Sequence, residues 1–209
     1  MIIHIAGLPG SGKTYYIVKR IKEWVSEGID VYLYYQFQIK LKTKHIIYWR
    51  RLDELVRIKN GIIVIDEAQI FMNARKWEVF PEDLQYKLQQ HRKHNIHMWL
   101  ISQNIRRIDV VARELVQYYY HMRSLFSFNF RGKHIELFIK QEYSVEDIEK
   151  PDEKKQLLGR EFVWYNQEIA NLYDTTAEQE LENSDIIEVA YRRCPECGNL
   201  KKIGQSFGQ

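Results

Sequence analysis

Gly7-Leu8-Pro9-Gly10-Ser11-Gly12-Lys13-Thr14 sets three glycines, a lysine and a hydroxyl at the spacing G-x-x-x-x-G-K-T. That spacing suits a nucleoside triphosphate. The glycines let the main chain curl until its N–H groups converge on phosphate oxygens, and a helix starting there adds the partial positive charge of its N-terminus. Lys13 then reaches the β- and γ-phosphates, and the Thr14 hydroxyl holds Mg²⁺. Gly7 through Tyr15 are the expected nucleotide contacts. A second set of groups ends the run "IIVIDEAQ". Asp66 falls at the carboxyl end of an apolar segment, the ligand side of an open sheet, where it serves Mg²⁺ together with Thr14. Glu67 follows, and a carboxylate facing a γ-phosphate can orient and polarise an attacking water. The third set, Ser102-Gln103-Asn104, ends "MWLISQN"; Gln103 is placed to sense the γ-phosphate and share that water with Glu67. Hydrolysis also needs a cation on the developing charge. Arg92, Arg106, Arg107, Arg113 and Arg123 are candidates, with Arg92 and Arg107 favoured. An arginine supplied by a neighbouring copy implies a ring or another oligomer. The expected catalytic set is Lys13, Glu67, Gln103, Arg92 and Arg107, with ATP and Mg²⁺ as nucleotide and cofactor.

These groups work only if particular elements place them. Residues 2–6 read as a buried strand leading into the glycine loop. A helix follows from about Lys13 to Glu27, with Ile17, Ile21, Trp24 and Val25 at helical spacing. Strands are expected at 30–35, 61–68 and 96–104, a short amphipathic helix at "RRLDELVRI", and a helix from Pro81 to about His94. A hairpin over 125–139 turns at Arg131-Gly132-Lys133. Strand and helix in alternation predict an α/β fold with a mostly parallel sheet covered on both faces. It is a P-loop NTPase of the additional-strand, catalytic-glutamate type, with one strand between the two that bear the phosphate loop and Asp66. Residues 1–140 are expected to form the ATPase domain, 141–190 a covering arm and acidic linker, and 191–209 a small tail.

Composition excludes several classes. The 209 residues include 31 Lys plus Arg and 28 Asp plus Glu, giving +3, too mild to imply a polyanion partner by itself. Two cysteines do not make a secreted disulfide scaffold. No secretory leader and no membrane-spanning stretch is read, so the expected location is host cytoplasm, with contact to a membrane or virion peripheral. Cys194 and Cys197, in "CPECG", are half of a zinc ribbon; a bound Zn²⁺ needs two further ligands. His91, His94 and His97 read as packing or surface residues. Between Asp30 and Asp53 no acid occurs, and Lys40, Lys42, Lys44, Arg50 and Arg51 alternate with Tyr35, Phe37, Tyr48 and Trp49. That pattern suits either a path for nucleic acid or a charged edge strand that resists edge-to-edge pairing. Arg106, Arg107 and Arg113 form a second basic set, placed to couple nucleotide state to DNA.

"AGLPGSGKT", "GIIVIDEAQIFMNARKW" and "QQHRKHNIHMWLISQNIRRID" together resemble the zonula occludens toxin-like ATPases, relatives of the filamentous-phage gene I assembly protein within the FtsK/HerA-type pumps. The resemblance spans about residues 1–125. It implies ATP hydrolysis that drives packaging or extrusion of a viral genome, with Lys13, Thr14, Asp66, Glu67 and Gln103 as the ATPase residues. It also implies DNA and viral structural proteins as partners. Filamentous-phage members carry a spanning segment after this domain, so a packaging ATPase of a tailless virus fits as well as extrusion does. Two other readings compete. One is a nucleotide-gated assembly factor for coat or membrane proteins. The other is a small-molecule kinase, which would need an arginine-rich lid rather than an acid after Asp66.

Overall fold

Ile2, Ile3, His4, Ile5 and Ala6 are all buried, as only an interior parallel strand allows. In a computed structural model of the chain this strand, β1 (Ile2–Ala6), lies inside an eight-stranded sheet. The structure describes residues 1–72, 82–148, 150, 154–173, 191–193 and 200–202. After β1 come α1 (Lys13–Ser26), β2 (Val31–Tyr34), β3 (Ile46–Trp49), α2 (Leu52–Arg57) and β4 (Gly61–Ile65). Then follow α3 (Glu82–Gln89), β5 (Ile96–Ile101), α4 (Val110–Glu114), β6 (Tyr118–Phe130) and β7 (Lys133–Tyr143). The series closes with β8 (Leu157–Trp164), α5 (Gln167–Ala170), and a separate two-stranded sheet of β9 (Tyr191–Arg193) and β10 (Leu200–Lys202).

The strand order is β3-β2-β4-β5-β1-β6-β7-β8. Pairing is parallel from β3 to β6 and antiparallel from β6 to β8. Strand β5 therefore stands between β4, which leads into Asp66, and β1, which enters the phosphate loop, as the sequence leads one to expect. Helix α1 covers one face, burying Ile17, Ile21 and Trp24 against Ile3, Ile5, Val64 and Trp99. Leu55, Leu88, Ile105, Ile108 and Ala112 pack on the other face against Ile63, Ile65, Met98 and Leu100.

Several boundaries differ from expectation. The helix expected to reach His94 stops at Gln89, and turns follow to Asn95, whose φ of 52° is the left-handed conformation that Asn tolerates. Pro81 and the two cysteines lie outside the described residues. The hairpin turns on two residues, Arg131 at φ 49° and Gly132 at φ 76°, the mirror-image turn that matches strand twist; Lys133 already belongs to β7. Residues 46–49, inside the basic interval, form the edge strand β3. There Trp49 packs on Tyr34 and Phe71, and Phe37 is buried as well, so neither is free to stack on a base. The segment read as a covering arm supplies β8, the eighth strand, and Tyr173 bridges back to Ile39. No helix among the described residues is long and apolar enough to cross a membrane.

Candidate functional site

The loop from Gly7 to Thr14 leaves the carboxyl end of β1 and enters α1. Gly12 has φ 85°, and a Cβ there would sit 2.5 Å from the Phe138 ring, so only glycine fits between the ring and the helix start. Ser11 N–H donates to the Leu8 carbonyl (3.1 Å), which closes the turn. The buried Lys13 ammonium donates to the Gly7 (2.9 Å) and Leu8 (3.0 Å) carbonyls. Burial holds its pKa below the ordinary lysine value, against the pull of Glu67 and Asp66.

Thr14 Oγ1 donates to Asp66 Oδ2 at 3.2 Å, so the hydroxyl and carboxylate expected to serve Mg²⁺ lie side by side. This donor set fits a hard cation that keeps most of its ligands as water and phosphate oxygen. Asp66 is buried, and desolvation plus the neighbouring Glu67 raise its pKa from 3.8 to about 6. Its Oδ1 accepts the Glu67 N–H at 2.9 Å. Glu67 itself has φ 48° and ψ 47°, a left-handed conformation unusual outside glycine. Gln69 Nε2 donates to its Oε2.

Lys13, Thr14, Asp66 and Glu67 line one cavity of about 890 Å³, within the range of ligand pockets. Phe138, Tyr165 and Tyr173, with Glu136 and Gln167, line the same cavity. Such an aromatic wall takes a nucleobase by stacking. The sequence reading missed it, because these residues lie more than 120 positions from the loop. Tyr15, expected as a nucleotide contact, lines the cavity too. Its hydroxyl is engaged, donating to the Trp164 carbonyl (3.1 Å) and accepting from Asn166 N–H (2.7 Å).

Gln103 lies elsewhere. It lines a second cavity that shares Pro9, Gly10 and Ser11 with the first but neither Asp66 nor Glu67. Its Oε1 accepts from Arg107 Nη1 at 3.0 Å. The structure therefore does not bring Gln103 and Glu67 onto one water. Arg107 is exposed on the loop after β5, at the same carboxyl end of the sheet as the phosphate loop. Arg92 precedes β5 and acts on the Met1 ammonium. The parallel register of β1 and β5 puts it at the opposite end of the sheet, a strand length of roughly 15–20 Å from its own phosphate loop, and excludes it from that site in the same chain. One buried group was not foreseen as part of this machinery. His4 Nε2 meets Ser102 Oγ at 2.8 Å, its ring stacks on Tyr119, and burial drops its pKa to about 3, so the pair is a neutral tie between β1 and the strand that carries Gln103.

The model of the zonular occludens toxin (Zot) family matches residues 37–180. This chain belongs to the Zot family. The matched segment begins after the phosphate loop and takes in every strand from β3 to β8. The N-terminal domain of zonular occludens toxin from Neisseria meningitidis superposes with a TM-score of 0.57 at 19% identity, covering 83% of this chain and 98% of that one. The genome packaging NTPase B204 from Sulfolobus turreted icosahedral virus 2, solved in complex with ATP-gammaS, gives 0.51 at 12% identity, over 75% and 95% of the two chains. B204, described as the DNA-packaging ATPase from Sulfolobus turreted icosahedral virus, gives 0.50 at 13% identity over 75% and 95%. At these identities the likeness establishes the P-loop NTPase fold. No curated protein matches this Zot-family chain.

Proposed function

We propose that this chain is an ATP-hydrolysing motor for packaging or extruding a viral genome during virion assembly. The observation that supports it best is the convergence of Lys13, Thr14, Asp66 and Glu67 on one cavity under the phosphate loop. In this reading Lys13 exchanges its two carbonyl partners for β- and γ-phosphate oxygens. Thr14 and Asp66 hold Mg²⁺, which neutralises phosphate charge when bound. The Glu67 carboxylate accepts a hydrogen bond from the attacking water and aims it at the γ-phosphorus. Arg107, at the right end of the sheet but paired with Gln103, is the remaining favoured cation; it acts on its own site or on that of a neighbour in a ring. The Zot family and the packaging NTPase B204 share this fold, which supports a nucleic-acid cargo.

The assembly-factor reading has one observation of its own. Phe126, Phe128, Phe130, Phe162 and Trp164 are exposed on the antiparallel wing, more apolar surface than a lone monomer usually shows.

The test measures steady-state phosphate release with Mg²⁺-ATP, with and without DNA, alongside binding of a non-hydrolysable analogue. Glu67→Gln should keep the analogue's affinity and lose about a hundredfold or more in turnover. Turnover within twofold of the parent would remove Glu67 from the reaction. Stimulation by a coat or membrane protein, with none by DNA, would favour the assembly factor.

A further inference from the structure

The second cavity, about 750 Å³, lies against the opposite side of the phosphate loop. Its cations come from three separate segments: Arg106 after β5, Arg123 on β6, and Lys150 and Lys155 between β7 and β8. Among the described lining residues there is no carboxylate. Lys150 pairs at its edge with Asp147 (2.5 Å). Lys155 is held over the rings of Tyr119 (5.2 Å) and Tyr143 (5.9 Å), which fixes its ammonium beside the opening. The polar lining also includes His121, the Gln103 and Asn104 amides, and the Ser124 hydroxyl, which donates to Glu136 Oε1 at 2.9 Å; amides and hydroxyls are groups that contact phosphate and sugar. Ser11, 5% exposed, belongs to the walls of both cavities, and its buried hydroxyl has no hydrogen-bond partner.

We propose that this cavity binds the phosphate backbone of a polynucleotide, an assignment that rests on the motor reading and names where its cargo touches the chain. A single phosphate is best held by one nest of amides or one forked arginine. Cations spread over three segments instead match successive phosphates along a strand. Two routes, one through the chain itself and one through a hydrogen bond, then join cargo and fuel. Pro9, Gly10 and Ser11 form part of both cavity walls. The loop bearing Arg106 and Arg107 is tied to the segment after Glu67 by Asp109 N–H donating to the Met72 carbonyl (2.8 Å). Any movement of the phosphate loop or of the Glu67 turn on hydrolysis therefore moves a wall of the polynucleotide site, and the coupling must act in both directions.

The test is fluorescence anisotropy of a fluorescein-labelled oligodeoxynucleotide, single-stranded and duplex, across a salt series, on the full chain. Lys155→Glu should weaken binding about tenfold and flatten the salt dependence by roughly one unit of log–log slope, while affinity for a non-hydrolysable ATP analogue stays within twofold. Lys155→Gln, checked by melting, repeats the test should the glutamate variant fold poorly. Unchanged oligonucleotide affinity in both variants overturns the proposal. So does parallel loss of analogue binding, since the cavity would then be part of the nucleotide site. A parent chain that hydrolyses ATP but binds no oligonucleotide overturns this inference and leaves the ATPase assignment standing. A chain that binds oligonucleotide through Lys155 without hydrolysing ATP does the reverse.

Discussion

Asp66 shows how a single side chain at this site is held at a cost that its ligand removes. Its pKa is raised from 3.8 to about 6 because burial and Glu67 both disfavour its charge. Well below pH 3.8 the carboxyl is protonated in the folded and unfolded chain alike, and the shift costs nothing. As pH rises from about 4 to 6 the unfolded chain ionises while the folded one stays protonated, and about 2–3 kcal/mol of stability is lost, levelling off above 6. Asp66→Asn carries no such charge. It should melt higher than the parent at pH 7.5, with the gap closing towards pH 4, and Mg²⁺ with nucleotide should raise only the parent. A gap equal at both pH values would mean that the charge is not what strains the site. Lys13, Thr14, Asp66 and Glu67 were legible because motif spacing fixes them to one loop and one strand end. The left-handed turn at Glu67 and the neutral His4–Ser102 tie were not, since neither residue type announces its backbone angle or its distant partner.

The elements were legible in proportion to how completely they are buried. Strands β1 and β4 are apolar on both faces and read as uninterrupted runs. Strand β8 is the outermost of the sheet, mostly exposed or half-buried, and for that physical reason falls within the stretch, 141–190, that reads as covering arm and acidic linker. Strand β3 has four residues and follows a lysine-rich stretch, so the sequence offered it only as one of two readings, a charged edge strand beside a nucleic-acid path. The segment after β8 is the element that matters most to the site, because Tyr165 and Tyr173 belong to the aromatic wall of the nucleotide cavity. Tyr15 clamps its start through two hydrogen bonds. Tyr15→Phe leaves the Asn166 N–H without that partner, at about 1–2 kcal/mol. For a chain of this size the melting temperature should fall by roughly 2–8 °C, and analogue affinity should weaken severalfold as the aromatic wall loosens. If the melt drops and affinity does not, Tyr165 and Tyr173 are only structural and the base stacks elsewhere.

At the scale of the molecule, the central question is where the folding unit ends. Composition changes near residue 141, and a domain edge at 140 is what the sequence suggests. The core does not divide there. Val163 is fully buried, and with Phe138 and Ile169 it belongs to the same cluster as Tyr15, Tyr16, Ile17 and Ile5 beneath the phosphate loop. Tyr16 hydroxyl donates to Glu161, which also pairs with Lys140 at 2.8 Å, joining α1 to the outer strands. A fragment of residues 1–143 would thus expose one side of the cluster that supports the loop, whereas residues 1–173 retain all of it. The longer fragment should melt cooperatively and bind a non-hydrolysable ATP analogue. The shorter one should show a broad, early transition or aggregate, and bind the analogue at least tenfold more weakly. Cooperative melting and parental affinity in residues 1–143 would mean that the sheet from β3 to β7 positions the phosphate loop unaided, and that β8 and the clamp are additions to a site already complete.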